Sequence, residues 1–365
     1  MKHYRFIHFL WFPSKTFCTR VVKMINNPEY GFSSEDHLFV TPHKDLYANL
    51  SSFLNVVLFE TNRPFDAKMI NSFAPYGNWL IIHSIPYWQK AFFIKRKYQK
   101  KIVWRTWGSD SVLFNTKKGN ILVRNLKIFL NIIRKKMVHR FYAVGLSSSY
   151  IDYIDITRNY GELKTFELPY ADKDISFSED QLSHESHSSL NILVGHSGTP
   201  LDNHINVLNF LKRFKGEDFR IYLLLSYGNS DYIKKIIQYV KDYWPDKIEI
   251  ITEYMTLNQF NVFCSKMDIC IFDGLQSYAI GNISTLATMR KKLVFNRNGL
   301  WHQAFSDKGF PHMCTDELES CSFEELKENL VFEKEYYEGI DNKPFEEKIE
   351  GWKAMFSELS SKSLK

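Results

Sequence analysis

The sequence has no apolar run of the ~18–20 residues that a spanning helix needs, so an integral membrane protein is not expected. A signal peptide is not expected either. The short apolar run behind Lys2 has no small-residue cleavage site and is soon broken by Pro13 and Lys15. Cysteine is sparse, odd in number and scattered (Cys18, Cys264, Cys270, Cys314, Cys321), with no CxxC. Neither a disulfide framework nor a zinc site is written there, and a reducing cytoplasm fits. No GxGxxG and no Walker loop occurs, so NAD and ATP are not indicated.

What is present is enough apolar and aromatic material for two domains of roughly 150–200 residues in a chain of 365. Charge is divided unevenly. Residues 1–170 hold 25 Lys and Arg against 11 Asp and Glu, so of the totals 47 and 41 the remainder holds 22 and 30. A basic front half and an acidic back half point to an anionic surface facing the first.

In the first half short β-rich runs alternate with amphipathic stretches. The runs are Tyr4–Phe9, His37–Val40, Asn55–Glu60, Trp79–His83, Ile102–Trp107 and Phe141–Val144. Helical spacing is read at Lys15–Ile25, Asp66–Phe73, Trp88–Tyr98 and Asn120–His139. Such alternation predicts βαβ units and a parallel sheet. The Ser/Asp-rich stretch 171–189 reads as a linker between a domain over 1–170 and one over 190–340. The second domain reads as an open sheet of about five strands, starting at Asn191–Val194. A last helix is expected within 341–365, one that could return to the first domain. Two doubly wound α/β domains of this kind bind ligand at the carboxyl ends of their strands, in a cleft that both domains face.

Several loops at those strand ends carry candidate chemistry. Gly195-His196-Ser197-Gly198-Thr199 follows a strand and precedes a helix, a place where small residues let backbone N–H groups approach a diphosphate. An ordinary βα turn that needs glycine is the plainer alternative. Ile280-Gly281-Asn282, with Ser284, opens the next candidate helix in the same way, and Tyr227 is grouped with these donor residues. Glu253 ends a strand and is placed to accept bonds from a ribose or sugar hydroxyl, or is a solvated strand-end charge. Asp110, in Trp107-Gly108-Ser109-Asp110, suits a general base for an acceptor hydroxyl, or a capping residue. His8 and His83 could meet the same cleft as Asp110, or be satisfied core histidines. Asp172-Lys173-Asp174 is formally a DxD, but it lies in the linker with His184 and His187, so no metal is assigned. Basic residues gather at Lys95-Arg96-Lys97 and at Arg134-Lys135-Lys136, interleaved with apolar positions. That is the composition of a peripheral helix on anionic lipid, or of a core helix with a solvated basic face. No nucleic-acid recognition motif accompanies them.

WRTWGSDS at 104–111 and ILVGHSGTPLDNHI at 192–205 resemble the enterobacterial TDP-Fuc4NAc:lipid II Fuc4NAc transferases, glycosyltransferase family 56. So do Ile7-His8, Ile250–Glu253, Ile280-Gly281 and Asn296-Arg297 with Trp301. The resemblance implies a GT-B fold, and a dTDP- or UDP-sugar donor on the C-terminal domain, bound without metal or other cofactor. It also implies an undecaprenyl-diphosphate-linked acceptor at the cytoplasmic face of a bacterial inner membrane, in common-antigen or O-antigen assembly. There are departures: family members carry His-Gly where this chain has His83-Ser84, and Asn-Glu-His where it has Asp202-Asn203-His204. A sugar-nucleotide epimerase of the same fold and a non-catalytic nucleotide-sugar-binding protein are the alternatives.

Overall fold

The apolar runs become parallel strands buried on both faces, as expected when crossover helices cover a sheet from both sides. The structure, a computed structural model, describes residues 2–11, 15–61, 66–108, 110–117, 119–147, 149–169, 189–328 and 345–362. The linker reading therefore falls outside the described residues apart from Ser189, as do Asp172, Lys173, Asp174, His184 and His187. The chain divides into one unit of residues 1–175 with 343–365 and another of residues 176–342.

The first unit contains β1 (Tyr4–Leu10), β2 (His37–Thr41), β3 (Val56–Leu58), β4 (Gly77–His83), β5 (Ile102–Arg105), β6 (Ala143–Leu146) and β7 (Thr165–Glu167). Its helices are α1 (Lys15–Asn26), α2 (Lys44–Leu50), α3 (Ala67–Phe73), α4 (Trp88–Ala91), α5 (Arg96–Gln99), α6 (Ile121–Val138) and α7 (Ser149–Tyr160). The strands pair in the order β3-β2-β1-β4-β5-β6-β7, every pair parallel. Alternation sends Ile7, Phe9, Leu80 and Ile82 into one core layer, and Phe6, Leu10, Trp79 and Ile81 into the other. The single helix read over Trp88–Tyr98 is broken into α4 and α5. The Asn71 side chain accepts the Lys95 N–H at 2.9 Å and donates to the Phe93 carbonyl at 3.0 Å, which turns the chain between them.

The second unit contains β8 (Leu190–Val194), β9 (Phe219–Leu224), β10 (Ile248–Ile251), β11 (Ile269–Phe272), β12 (Lys292–Phe295) and β13 (Met313–Cys314). Helices α8 (His204–Leu211), α9 (Ser230–Tyr243), α10 (Leu257–Ser265), α11 (Ile280–Thr288), α12 (Leu300–Asp307) and α13 (Phe323–Lys327) connect or follow them. The order is β10-β9-β8-β11-β12-β13, six parallel strands rather than five. The sixth is two residues long, too short to show any periodicity. Both sheets thus have the 3-2-1-4-5 order of the doubly wound fold, with the strand order reversing beside β1 and beside β8.

The last helix, α14 (Phe345–Ser361), belongs to the first unit. Ile349, Trp352, Met355, Phe356 and Leu359 join the second core layer of that unit. Two indoles fix it: Trp352 Nε1 donates to the Pro169 carbonyl and Trp79 Nε1 to the Leu359 carbonyl, both at 2.8 Å. Gly351 lets α14 touch the β7 backbone, since a Cβ there would lie 2.2 Å from the Glu167 carbonyl oxygen. Alanine at a helix interior ordinarily stabilises by about 1 kcal/mol over glycine. Here the overpacking reverses the sign, and Gly351→Ala is expected to destabilise the protein by about 1–3 kcal/mol in a urea titration. A rise in the unfolding midpoint would contradict this packing.

Candidate active site

In the second unit the strand-end loops are tied together before any ligand arrives. Gly195 has φ +71°, and a Cβ there would meet His204 Nε2 at 2.4 Å. The amides of the turn are already taken. Gly195 N–H donates to the Ile271 carbonyl at 2.9 Å, and Gly198 N–H to the Tyr227 carbonyl at 2.7 Å. The His196 and Ser197 N–H groups both reach Asp202 Oδ2, at 3.1 and 3.0 Å. The N–H groups of Gly195, Ser197 and Gly198 thus satisfy the chain itself, which favours the plainer alternative of a βα turn that needs glycine over a diphosphate cradle. Thr199 caps the following turn, accepting the Leu201 N–H at 3.5 Å. Burial pushes the Asp202 carboxyl up, but hydrogen bonding and charge from His196 outweigh it, so its pKa lies below the usual range. His196 Nδ1 stands 2.8 Å from Asp202 Oδ1, and its ring is stacked on Tyr278 with Tyr227 edge-on.

Asp273, directly after β11, is 2% exposed and gathers four side chains from three segments. Its Oδ2 accepts from Asn203 and Asn206, and its Oδ1 from Asn296 and Thr315, at 2.6 to 3.0 Å. Sequence reasoning missed this hub because its partners are 23 to 70 residues away.

The α11 end differs. Ala279, its N-cap, has φ +59° and offers no capping side chain, so nothing on that residue satisfies the first amides of the helix. Gly281 is exposed, and a Cβ there would have nothing within 4 Å. Ser277 Oγ and Ser284 Oγ, shielded from solvent, have no hydrogen-bond partner among the described residues. Uncapped amides, open space and orphan hydroxyls together are what an anionic group would complete. Ser277, in the loop that runs into α11, was not singled out as a donor residue from the sequence. Tyr227 is half exposed, and Glu253 stands exposed on the turn after β10, the edge strand.

In the first unit Asp110 is 4% exposed and already coordinated by the chain. Its Oδ2 accepts from the Ile85 N–H at 2.7 Å and Trp104 Nε1 at 3.0 Å, and its Oδ1 from the Trp107 N–H at 2.6 Å. Its carbonyl accepts from Trp88 Nε1 and from the Arg134 guanidinium. This arrangement favours the capping alternative over the general-base reading, since the carboxylate holds loops together. Arg134, read as a membrane-facing cation, is buried. It is 1% exposed, lies 4.1 Å over the Trp88 ring, and burial lowers its pKa to about 10. Nearby, Ser111 Oγ donates to Asp155, whose carboxyl burial pushes up to about 6.

His8 and His83 do not join Asp110. They lie in the core layer beneath α14, and with His37 they form one chain across β2, β1 and β4. His8 Nε2 is 2.9 Å from His37 Nδ1, and His8 Nδ1 is 3.1 Å from His83 Nε2. Phe356 is edge-on to His37 and Trp352 is stacked on His83. Each ring is at most 2% exposed, which favours the core-histidine alternative for His8 and His83 over the catalytic one. Burial holds all three neutral, His37 and His83 at about 3, with Arg5 and Arg105 pushing the same way, and His8 well below 6.5.

Lys95, Arg96, Lys97, Lys135 and Lys136 are all exposed. So is most of α6: Ile121, Leu122, Leu126, Ile128, Phe129 and Ile132 are 47 to 75% exposed, and Phe93 before α5 is 73% exposed. The buried residues of α6, Arg134, Met137 and Val138, lie in its last turns. Among the described residues no helix is long and apolar enough to cross a membrane.

Solved structures share this architecture at low identity. A glycosyltransferase from Rickettsia africae matches with a TM-score of 0.60 at 13% identity, covering all of both chains. Anabaena HepE in complex with UDP and glucose matches at 0.63 and 11%, covering 99% of this chain and 100% of that one. A UDP-N-acetylglucosamine 2-epimerase matches at 0.51 and 12%, covering 100% of this chain and 98% of that one. The fold is therefore that of the GT-B enzymes, two Rossmann-like units, a fold that serves transferases and epimerases alike. The family match separates the two. The model for 4-alpha-L-fucosyltransferase, glycosyl transferase group 56, matches residues 28–344, and the chain belongs to that family of glycosyltransferases.

Two outcomes are expected. Unfolded histidines bind protons below pH ~6.5 that the buried chain refuses until about pH 3. Stability is therefore full above pH ~6.5 and falls on acidification, by up to ~1.4 kcal/mol per pH unit for each ring. The thermal midpoint should drop from pH 7 to pH 5; a flat profile would contradict a neutral chain. Asp110→Asn should cost about 2–4 kcal/mol of stability, since an amide cannot accept all three N–H bonds. Loss of turnover with an unchanged midpoint would restore Asp110 as the base.

Proposed function

We propose that this transferase moves a deoxy-amino sugar such as Fuc4NAc from a dTDP- or UDP-sugar to an undecaprenyl-diphosphate-linked glycan, in common-antigen or O-antigen assembly. The observation that carries the donor half is the uncapped first turn of α11, Ile280–Asn282, flanked by the orphan hydroxyls of Ser277 and Ser284. A leaving diphosphate accepts hydrogen bonds from such amides and gains from the positive helix end. In the proposed reaction these donors stabilise the charge that develops as the glycosidic bond breaks, so no metal is assigned there. HepE, of the same fold, is solved with UDP and with UDP-glucose, which supports a nucleotide-sugar donor here. Tyr227 and Glu253, on neighbouring strand-end turns of the same unit, are the proposed contacts for base and ribose.

The acceptor half rests on α6. A helix with six large apolar side chains in water is costly unless a surface covers them. With Lys95, Arg96, Lys97, Lys135 and Lys136 exposed in the same unit, the proposed surface is the anionic cytoplasmic face of a bacterial inner membrane. A lipid-linked acceptor would meet the enzyme there.

Gly281→Asp separates donor binding from folding. The site has room for the side chain, and a carboxylate near a helix N-terminus does not destabilise it. It should weaken dTDP or UDP binding at least ~10-fold by calorimetry, with the thermal midpoint nearly unchanged. Unaltered affinity would remove α11 from the donor site. For the membrane half, Leu122→Gln/Leu126→Gln/Phe129→Gln should abolish co-sedimentation with phosphatidylglycerol vesicles and leave nucleotide binding intact. Equal sedimentation of both proteins would refute the docking role of α6.

A further inference from the structure

Outside these features one cluster of metal-ligating side chains has no role in the donor site or in the histidine chain. His302 sits on α12, Cys314 ends β13, and His312 lies two residues before it. His302 Nδ1 is 2.8 Å from His312 Nε2 and 3.3 Å from Cys314 Sγ, and the three ligand atoms all lie within 4.8 Å of one another. Among the described residues this is the group of His, Cys, Asp and Glu that could hold an ion.

Two details go beyond proximity. His312 Nδ1 is 2.7 Å from the Phe310 carbonyl, an acceptor with no proton of its own. The ring must therefore carry its proton on Nδ1, which leaves the Nε2 lone pair aimed at His302 and Cys314. A carbonyl on the far nitrogen is how metal-bound imidazoles are commonly oriented. Second, Cys314 is buried while both histidines are half-buried, so an ion has a route in and the sulfur is shielded. The rings of Phe295 and Phe305 wall the His312 side at 5.8 and 5.7 Å. Arg297, the cation nearby, is paired with Asp316 and Glu317 at 2.7 and 2.9 Å, so its charge is compensated.

We propose that His302, His312 and Cys314 bind one zinc ion through two imidazoles and a thiolate, with the fourth position open to water. Zn–N and Zn–S bonds of ~2.0–2.1 and ~2.3 Å in a tetrahedron need ligand atoms ~3.3–3.6 Å apart. The Cys314 Sγ–His302 Nδ1 separation is near that already, the two rings need to part by about half an ångström, and Cys314 Sγ lies within 4.8 Å of His312 Nε2, so side-chain rotation brings the third edge into range. On binding, Cys314 releases its S–H proton, while His302 stays neutral by giving up its Nδ1 proton and taking one from solvent at Nε2, so that three lone pairs face the ion. The ion closes the 308–313 segment onto β13. The residue that follows, Thr315, donates to Asp273 at 2.7 Å, so the ion would steady the strand-end hub. Its role is to fasten a loop, and it stands or falls independently of the donor reading.

The test uses the full chain purified without a polyhistidine tag. Zinc measured by plasma mass spectrometry after incubation with zinc sulfate and gel filtration should reach about one equivalent, against under ~0.2 for Cys314→Ser and for His302→Asn. Cobalt(II) titrated into chelator-treated protein should give tetrahedral visible bands and a thiolate-to-cobalt band in the near ultraviolet, the latter lost in Cys314→Ser. Chelator should lower the thermal midpoint of the wild type and not of the variants. A wild type that holds no zinc and shows no thiolate-to-cobalt band would overturn the site. Full stoichiometry in both variants would do the same. Should either variant fail to fold, the wild-type cobalt spectrum alone decides. Loss of nucleotide binding with the cobalt spectrum intact would strike the donor reading and leave this one standing.

Discussion

A parallel sheet ends in loops whose backbone and side-chain donors crowd one edge, and this protein meets that constraint with buried carboxylates. Asp110 collects two amides and an indole in the first unit. In the second, Asp202 collects the two amides of the glycine turn, and Asp273 ties segments from α8, β12 and the turn after β13. An ionised carboxylate accepts several hydrogen bonds at once, and each is stronger than a neutral one. Burying the charge is tolerable only because its partners are complete. Removing one such group would leave several donors unsatisfied, so the loops stand or fall together.

That constraint also explains why the sequence left two readings open at several of these residues. From sequence, a carboxylate at a strand's carboxyl end looks the same whether it takes a proton from substrate or three hydrogen bonds from its own chain. Asp110 is of the second kind, and its partners at Ile85 and Trp104 come from elsewhere in the chain. His8 and His83 were unreadable for a similar reason: what fixes them is α14, more than 260 residues away, whose Trp352 and Phe356 cover them. Arg134 sits in a basic run with Lys135 and Lys136, yet helix geometry turns it inward against Trp88 while its neighbours face water. The elements themselves were far more legible. Asp66–Phe73, read as helical, is α3 behind its Asp66 cap, and the run Trp79–His83 is most of β4, because those signals are local. β13, two residues long, and β7, three residues long at the sheet edge, carry no such signal.

Backbone strain marks two positions where this sequence departs from the easy choice. Ser84 has φ +64° while 2% exposed, at the place where the resembling transferases carry glycine. A side chain in that conformation costs about 1–2 kcal/mol, and the surrounding structure must hold it there. Its own amide donates to the Arg105 carbonyl at 2.9 Å, extending the β4–β5 pairing one step past the strand end. Ala279 shows the same conformation at the start of α11. The position before a helix usually takes Ser, Thr, Asp or Asn, whose side chain would occupy the first amides. Alanine leaves them open.

The amides therefore divide by use, and the division locates function better than residue type does. At the glycine turn after β8 every N–H from Gly195 to Gly198 has an internal partner, so its small residues serve the approach of β8, β9 and α8 to one another. Gly198 admits Ile233 and the Tyr227 carbonyl, and Gly228 admits Gly198 itself. At α11 the capping is withheld, the space is open, and two hydroxyls lack partners. A folded chain leaves shielded donors unmatched only at a free-energy cost, and a ligand that supplies the acceptors recovers it. Both loops contain glycine and serine beside a helix start. From Gly195 to Gly198 the first spends its donors on the chain itself, whereas the second keeps donors to offer, which is why the proposed donor site is put at α11 rather than at the turn the sequence advertises most.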